Sequence, residues 1–280
     1  MITATITMRI TTTRMARGAA AIITMGMITN TGLIITTIMA TSMTTMIMQA
    51  VAADIIPTSM ADTAELQRLA WFSPAFPVGG FAYSQGLEKA VETGDVIDAE
   101  TLFRWLDAGL RFGAARNDVI LLAESWRAGA SEARLREIAE LGIALALSRE
   151  RRLETVQQGA SFHALILGAF PHADLPVLEG VDLPYPVAVG LAGAVHGQPL
   201  VPLVAACLQA SVSNLIAAGI RLSIIGQSKA QQVLAQLLPA IGSLASRAER
   251  LTLDDLGTMA FRADLMNLRH ETQQVRLFRS

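Results

Sequence analysis

Leu200-Val-Pro-Leu-Val-Ala-Ala-Cys-Leu-Gln-Ala-Ser-Val-Ser-Asn-Leu-Ile-Ala-Ala-Gly-Ile220 runs for 21 residues without a charge. A stretch of that length and polarity is either a membrane span or a helix in the middle of a helical domain. Gln209, Ser211, Ser213 and Asn214 decide for the second. Polar side chains so closely spaced are costly in hydrocarbon, and are readily satisfied where neighbouring helices offer partners. The stretch reads as a central helix wrapped by others.

The segments on both sides have the same helical character. Apolar positions recur at helical spacing over about 61–72, 84–93, 99–112, 115–128, 132–147 and 149–169, then 186–196, 200–221, 227–249 and 263–269. Asp98 and Ser131 stand where they would cap helices, with acidic residues following in the first turn. Gly94 and Gly129 stand where helices should stop. Strand-like alternation is almost absent from Met60 onward. The expected fold is all-α, a single globular bundle of about ten helices over residues 60–280.

A different composition precedes it. Residues 1–50 hold 9 Met, 10 Ile and 14 Thr, and the only acidic residue before Met60 is Asp54. The boundary falls at Pro57-Thr58-Ser59-Met60. Three readings of this low-complexity head compete. It could be a disordered or targeting segment, Arg-bearing and acid-poor. It could be a membrane anchor, since Gly18 to Ala53 is uncharged and long enough to span. The favoured reading is a translation artefact: Met, Ile and Thr codons begin AT or AC, so a His/Asp-rich tract read out of frame yields this mixture.

Composition narrows the function. A net charge of −2 with 16% charged residues gives no nucleic-acid footprint. A single cysteine, Cys207, excludes an internal disulfide and any multi-cysteine metal site, and suits a reducing cytoplasm. His163, His172, His196 and His270 form no ligand-pair motif. His163 and His196 lie in apolar helical patterns and read as hydrogen-bonded structural residues. Lys89 and Lys229 are the only lysines and neither follows a glycine, so a P-loop is absent. Arg149, Arg151 and Arg152 read as a solvated helix face paired with Glu150 and Glu154. No catalytic, cofactor-binding or metal-binding residue is assigned; an enzyme would require the scattered histidines to converge on a pocket.

Two segments are too particular to be packing alone. Ser73-Pro-Ala-Phe-Pro-Val-Gly-Gly-Phe-Ala-Tyr-Ser-Gln-Gly-Leu-Glu88 is a rigid loop that leads through Tyr83, Ser84 and Gln85 to Glu88. Pre-organised loops of this kind suit binding. The terminus, Arg269-His-Glu-Thr-Gln-Gln-Val-Arg-Leu-Phe-Arg-Ser280, carries residue types enriched at interface anchors.

These segments resemble the urease accessory protein F family, over about residues 64–280. Ser148-Arg-Glu-Arg-Arg-Leu-Glu154 with Gln157, Tyr185-Pro-Val-Ala, His196-Gly-Gln-Pro-Leu200, Asn214, Arg221, Gly226-Gln227 and Gln231 extend the similarity. Ile224-Ile225, Ala230 and Gln274 depart from its pattern. The resemblance implies a cytoplasmic, dimeric, non-catalytic scaffold. It would bind accessory protein D (H in some organisms), recruit the accessory GTPase, and support nickel insertion into apo-urease. Tyr83, Ser84, Gln85, Glu88, Arg269, His270, Glu271, Arg276, Leu277, Phe278 and Arg279 are the expected partner-binding residues.

Overall fold

The computed structural model describes residues 60–280 and, upstream of them, two three-residue strands. Contacts divide the chain into the units Met1–Ser59 and Met60–Ser280. In the first, β1 (Arg9–Thr11) pairs antiparallel with β2 (Thr24–Gly26), Ile10 opposite Met25. The rest of the head, and the readings made of it, lie outside the described residues.

The second unit is all-α, with ten α-helices among the described residues. They are α1 (Met60–Trp71), α2 (Leu87–Glu92), α3 (Ala99–Phe112), α4 (Ala114–Ala128), α5 (Glu132–Ala144), α6 (Arg149–Ala169), α7 (Tyr185–Val195), α8 (Leu200–Arg221), α9 (Gln227–Arg247) and α10 (Phe261–His270). Local chemistry accounts for their limits. Asp98 and Thr101 form a reciprocal capping box at the start of α3, whose Leu102, Leu106 and Leu110 face the core. Ser148 accepts from Arg151 N–H at 3.0 Å to open α6. Ser131 occupies the N-cap of α5, but its side chain makes no capping bond. Arg127 donates to the carbonyls of Ala248, Glu249 and Leu251 and so ties off the end of α9.

The centre of the bundle is α7, not the long uncharged helix. Every residue from Pro186 to Gly193 is buried, packed between α4 on one side and α6 on the other. Helix α8 buries one face, including Leu203, Val204, Leu208, Val212 and Ile216, and leaves Pro202, Gln209 and Ala217 exposed. Its length and composition would allow a membrane crossing. Its apolar face instead packs chiefly on α9, and its polar residues have local partners. Ser211 bonds back to Cys207 O at 3.0 Å, and Asn214 donates to Gly80 O at 2.7 Å.

Two histidines carry an acid liability. Neither ring nitrogen of His163 makes a hydrogen bond of good geometry, although the Pro176 backbone lies near enough to favour the protonated ring weakly. His196 Nδ1 lies 3.2 Å from Gln67 Nε2, while its Nε2 makes no hydrogen bond of good geometry, with the Phe170 backbone nearby. Burial holds both imidazoles below their ordinary range, aided for His196 by nearby His172. The folded state thus keeps them neutral, whereas the unfolded chain takes up protons as pH falls through about 6.5. Stability is lost from there downward, until the folded-state groups also protonate. The expected result is a lower Tm at pH 5.5 than at pH 7.5 by circular dichroism, with a smaller decrement in His163→Leu. Equal decrements in both chains would remove His163 from the account.

Candidate functional site

The loop before α2 is shaped by backbone constraints. Phe76 N–H donates to Ser73 O and Val78 N–H to Phe76 O, both at 2.9 Å, around Pro74 and Pro77. Gly80–Ala82 forms a single 3-10 turn, and Tyr83 is extended. Gln85 (φ 54°) and Gly86 (φ 77°) then turn left-handed. That turn moves the start of α2 to Leu87 rather than residue 84. At Gly86 a Cβ would lie 2.7 Å from Asn267 N of α10, so the loop and α10 meet at a backbone contact that only glycine allows.

The C-terminal segment lies along this loop. Arg279 N–H donates to Ala82 O at 2.8 Å and Ser84 N–H to Ser280 O at 2.7 Å. Ser84 Oγ–H also reaches Ser280 O, and Gln85 N–H reaches Ser280 Oγ at 3.4 Å. Along the segment Phe278 and Ser280 are buried, while Leu277 and Arg279 are exposed. The Arg221 guanidinium stands 4.3 Å above the Phe278 ring and donates to Phe81 O, joining α8 to both segments.

Carboxylates beneath the segment bind it. Glu88 accepts Leu277 N–H at 2.6 Å, Phe278 N–H at 3.0 Å and His270 Nε2 at 3.1 Å. Glu150 takes His270 Nδ1 at 2.6 Å and also Arg276. Glu154 accepts Gln85 Nε2 at 2.8 Å and Ser280 Oγ at 3.4 Å. Glu271 accepts Arg149 N–H at 2.6 Å, placing an anion at the start of α6.

The candidate residues therefore divide by role. Tyr83 (3% exposed), Ser84, Glu88, His270 and Phe278 are buried, and the Tyr83 hydroxyl donates to Gln157 Oε1 at 2.6 Å. Gln85 and Glu271 are half-buried, and Arg269, Arg276, Leu277 and Arg279 are exposed. The aromatic offered to solvent at the loop tip is Phe81, 70% exposed, with Val275 also out. Sequence reading missed Phe81 because Phe81 and Tyr83 both fit an aromatic tip. The 3-10 turn between them decides which one faces out.

Arg151 departs from the solvated-face reading. It is inside, 2.5 Å from Asp118 and 3.3 Å from Glu154. Burial pulls its pKa down, but those carboxylates more than offset this and leave it above the ordinary value. Arg152 does face solvent, 3.6 Å from Asp182. Beside Asp118 lies a cavity of about 110 Å³, lined in part by Tyr185, Val204, Cys207 and Leu208. Burial, and secondarily the Asp118 charge, push the Cys207 thiol up to about 12, which makes it a poor nucleophile. Among the described residues, no three His, Cys, Asp or Glu side chains are grouped to hold a metal ion. His172 and His196 meet edge-on with ring centroids 5.4 Å apart, whereas His270 is held between Glu88 and Glu150.

The sequence model of the UreF family matches residues 96–238. A urease accessory protein UreF from Rhodopseudomonas palustris (strain BisB5) is 51% identical over 232 residues, covering 80% of this chain and 95% of that protein. The chain belongs to the UreF family. Other UreF proteins are similarly close. That of Bradyrhizobium diazoefficiens is 49% identical over 225 residues, covering 78% of this chain and 93% of its own length. That of Agrobacterium fabrum is 50% identical over 215 residues, covering 77% and 96%. This chain is thus a urease accessory protein rather than an enzyme in its own right.

Proposed function

We propose that this UreF protein is a scaffold for urease maturation. With accessory protein D or H, it recruits the accessory GTPase to apo-urease for nickel insertion. It works as a homodimer in the cytoplasm, through residues 60–280, with the head dispensable. The observation that carries the reading is the union of the Tyr83 loop and the C-terminal segment into one surface. Phe81, Val275 and Leu277 are exposed there, with Arg269, Arg276 and Arg279. Aromatic, aliphatic and guanidinium groups set on a rigid, internally bonded base are what a hot spot requires. The segment docks chiefly on accessory protein D, and the loop helps form the platform for the GTPase.

Co-purification tests this. Deleting residues 270–280 is expected to abolish recovery of protein D; because the deletion also removes buried His270 and Phe278, the surface variant Leu277→Ala with Arg279→Ala should weaken recovery of protein D with helicity by circular dichroism nearly unchanged. Phe81→Ala is the better probe of the loop than Tyr83→Ala, because truncating buried Tyr83 would open a cavity and remove its bond to Gln157. Phe81→Ala should keep protein D and lose the GTPase, weakening its binding by roughly 30-fold, about 2 kcal/mol. A chain beginning at Met60 should behave as the full chain does. Retention of protein D after the deletion would refute the assignment.

A further inference from the structure

We propose that helix α6 is the second wall of the surface formed by the C-terminal segment, and that this surface takes an acidic face of accessory protein D. Leu153 of α6 and Leu277 of the segment are its apolar centre, and guanidinium groups are its rim. The inference rests on the proposed function, in which protein D meets the segment.

Three contacts lay the segment along the first turns of α6. Glu271 accepts Arg149 N–H at 2.6 Å, Arg276 reaches Glu150, and the Arg279 guanidinium lies 3.5 Å from Gln157. The contacts come in the same order on both elements, so segment and helix run side by side. Glu150, Leu153 and Gln157 are spaced at three and four residues and share one side of the helix, the side that meets the segment. Leu153 is nevertheless 47% exposed, and Leu277, between Arg276 and Arg279, is 62% exposed. The seam is thus joined by polar contacts, while its two leucines stay open to solvent.

Cations surround the seam. Arg149, Arg269, Arg276 and Arg279 are exposed, and so is Arg152, 3.6 Å from Asp182. Among the described residues, the guanidinium groups of Arg149, Arg269 and Arg279 form no salt bridge. The glutamates here are turned inward: Glu88 and Glu154 are buried, Glu150 and Glu271 half-buried. Residues 60–280 carry 19 basic and 23 acidic side chains, so this basic face runs against the net sign of its own domain. A second copy of the chain placed here would set like charges against each other. A simple polyanion would pair the arginines but leave both leucines in water. A carboxylate-bearing protein face with an apolar centre satisfies both, because guanidinium groups pair with carboxylates through parallel bonds and the leucines lose their water.

Titration of accessory protein D into the full chain tests this at about 50 mM and about 500 mM salt, from weak to strong screening. Binding should weaken by about tenfold or more across that range. Arg149→Glu with Arg279→Glu should weaken it about 100-fold at low salt and remove most of the salt dependence. Arg247→Glu with Arg250→Glu makes the same change in net charge at exposed positions around the end of α9, and should bind as the parent does. Leu153→Ala removes only the apolar contact, at an exposed helical position that suits alanine. It should weaken binding about tenfold with the salt dependence kept, and it is decisive even if the charge reversal folds poorly. Binding of protein D that ignores salt and both seam variants overturns this inference and leaves the proposed function standing. Equal losses in the α9 control overturn it as well. If the charge-reversed chain kept protein D and lost the GTPase, the assignment to protein D would be wrong. No binding of protein D by the parent overturns both readings.

Discussion

Glu88→Leu is expected to free the C-terminal segment and to lower stability by about 3–5 kcal/mol, the range for removing one partner from a buried charged network. One carboxylate serves three buried donors: the backbone N–H groups of Leu277 and Phe278 and the ring of His270. Leucine fills the volume and accepts nothing. Each stranded donor then costs its desolvation. Glu88→Gln keeps one acceptor oxygen and should fall between. Urea unfolding gives the total, and exchange of the 277–279 amides shows how much is local release. Wild-type protection of those amides in Glu88→Leu would mean that this carboxylate does not hold the segment.

The same residues show what a sequence can and cannot convey. Helices were legible because their signals are local. Leu102, Leu106 and Leu110 repeat at four residues, Asp98 announces the start of α3, and Gly94 and Gly129 stop α2 and α4. The family was legible because ordered motifs survive over most of residues 60–280. Burial was less so. The uncharged run of α8 promised the centre of the bundle, yet α7, half as long, is the helix enclosed on every side. Hydropathy records what a helix tolerates, not how many neighbours surround it. Charge pairing was opaque for a related reason. Glu88 and His270 stand 182 residues apart, and Arg151 looks in sequence like its solvated neighbour Arg152. The loop and the terminus each stood out in the sequence, but only the fold reveals that they are one object. Its inner residues hold it together, and its outer ones are free to meet a partner.

Gly159→Ala should be the most damaging single-methyl change in the bundle, and its sign is the informative part. In an exposed helix interior, alanine is favoured over glycine by about 1 kcal/mol through backbone entropy alone. Gly168, on the same helix α6, is exposed with open space around it, and Gly168→Ala should show that gain. At Gly159 a Cβ would lie 1.9 Å from Leu183 O and 2.8 Å from Pro184 C. Those atoms are backbone and cannot rotate aside. They belong to the chain turning into α7, which is pinned to α6 by the bond from Tyr185 N–H to Thr155 Oγ1 at 3.2 Å. Nor can α7 retreat, because on its far side a Cβ at Gly190 would already stand 2.3 Å from Leu122 O of α4. The strain must then spread through three packed helices. A cost of about 3 kcal/mol or more is expected, at the upper end for overpacking, with a fall in Tm of roughly ten degrees. Thermal unfolding of the two alanine variants beside the parent checks this. If Gly159→Ala matched Gly168→Ala in raising Tm, α6 and α7 could not approach as closely as described.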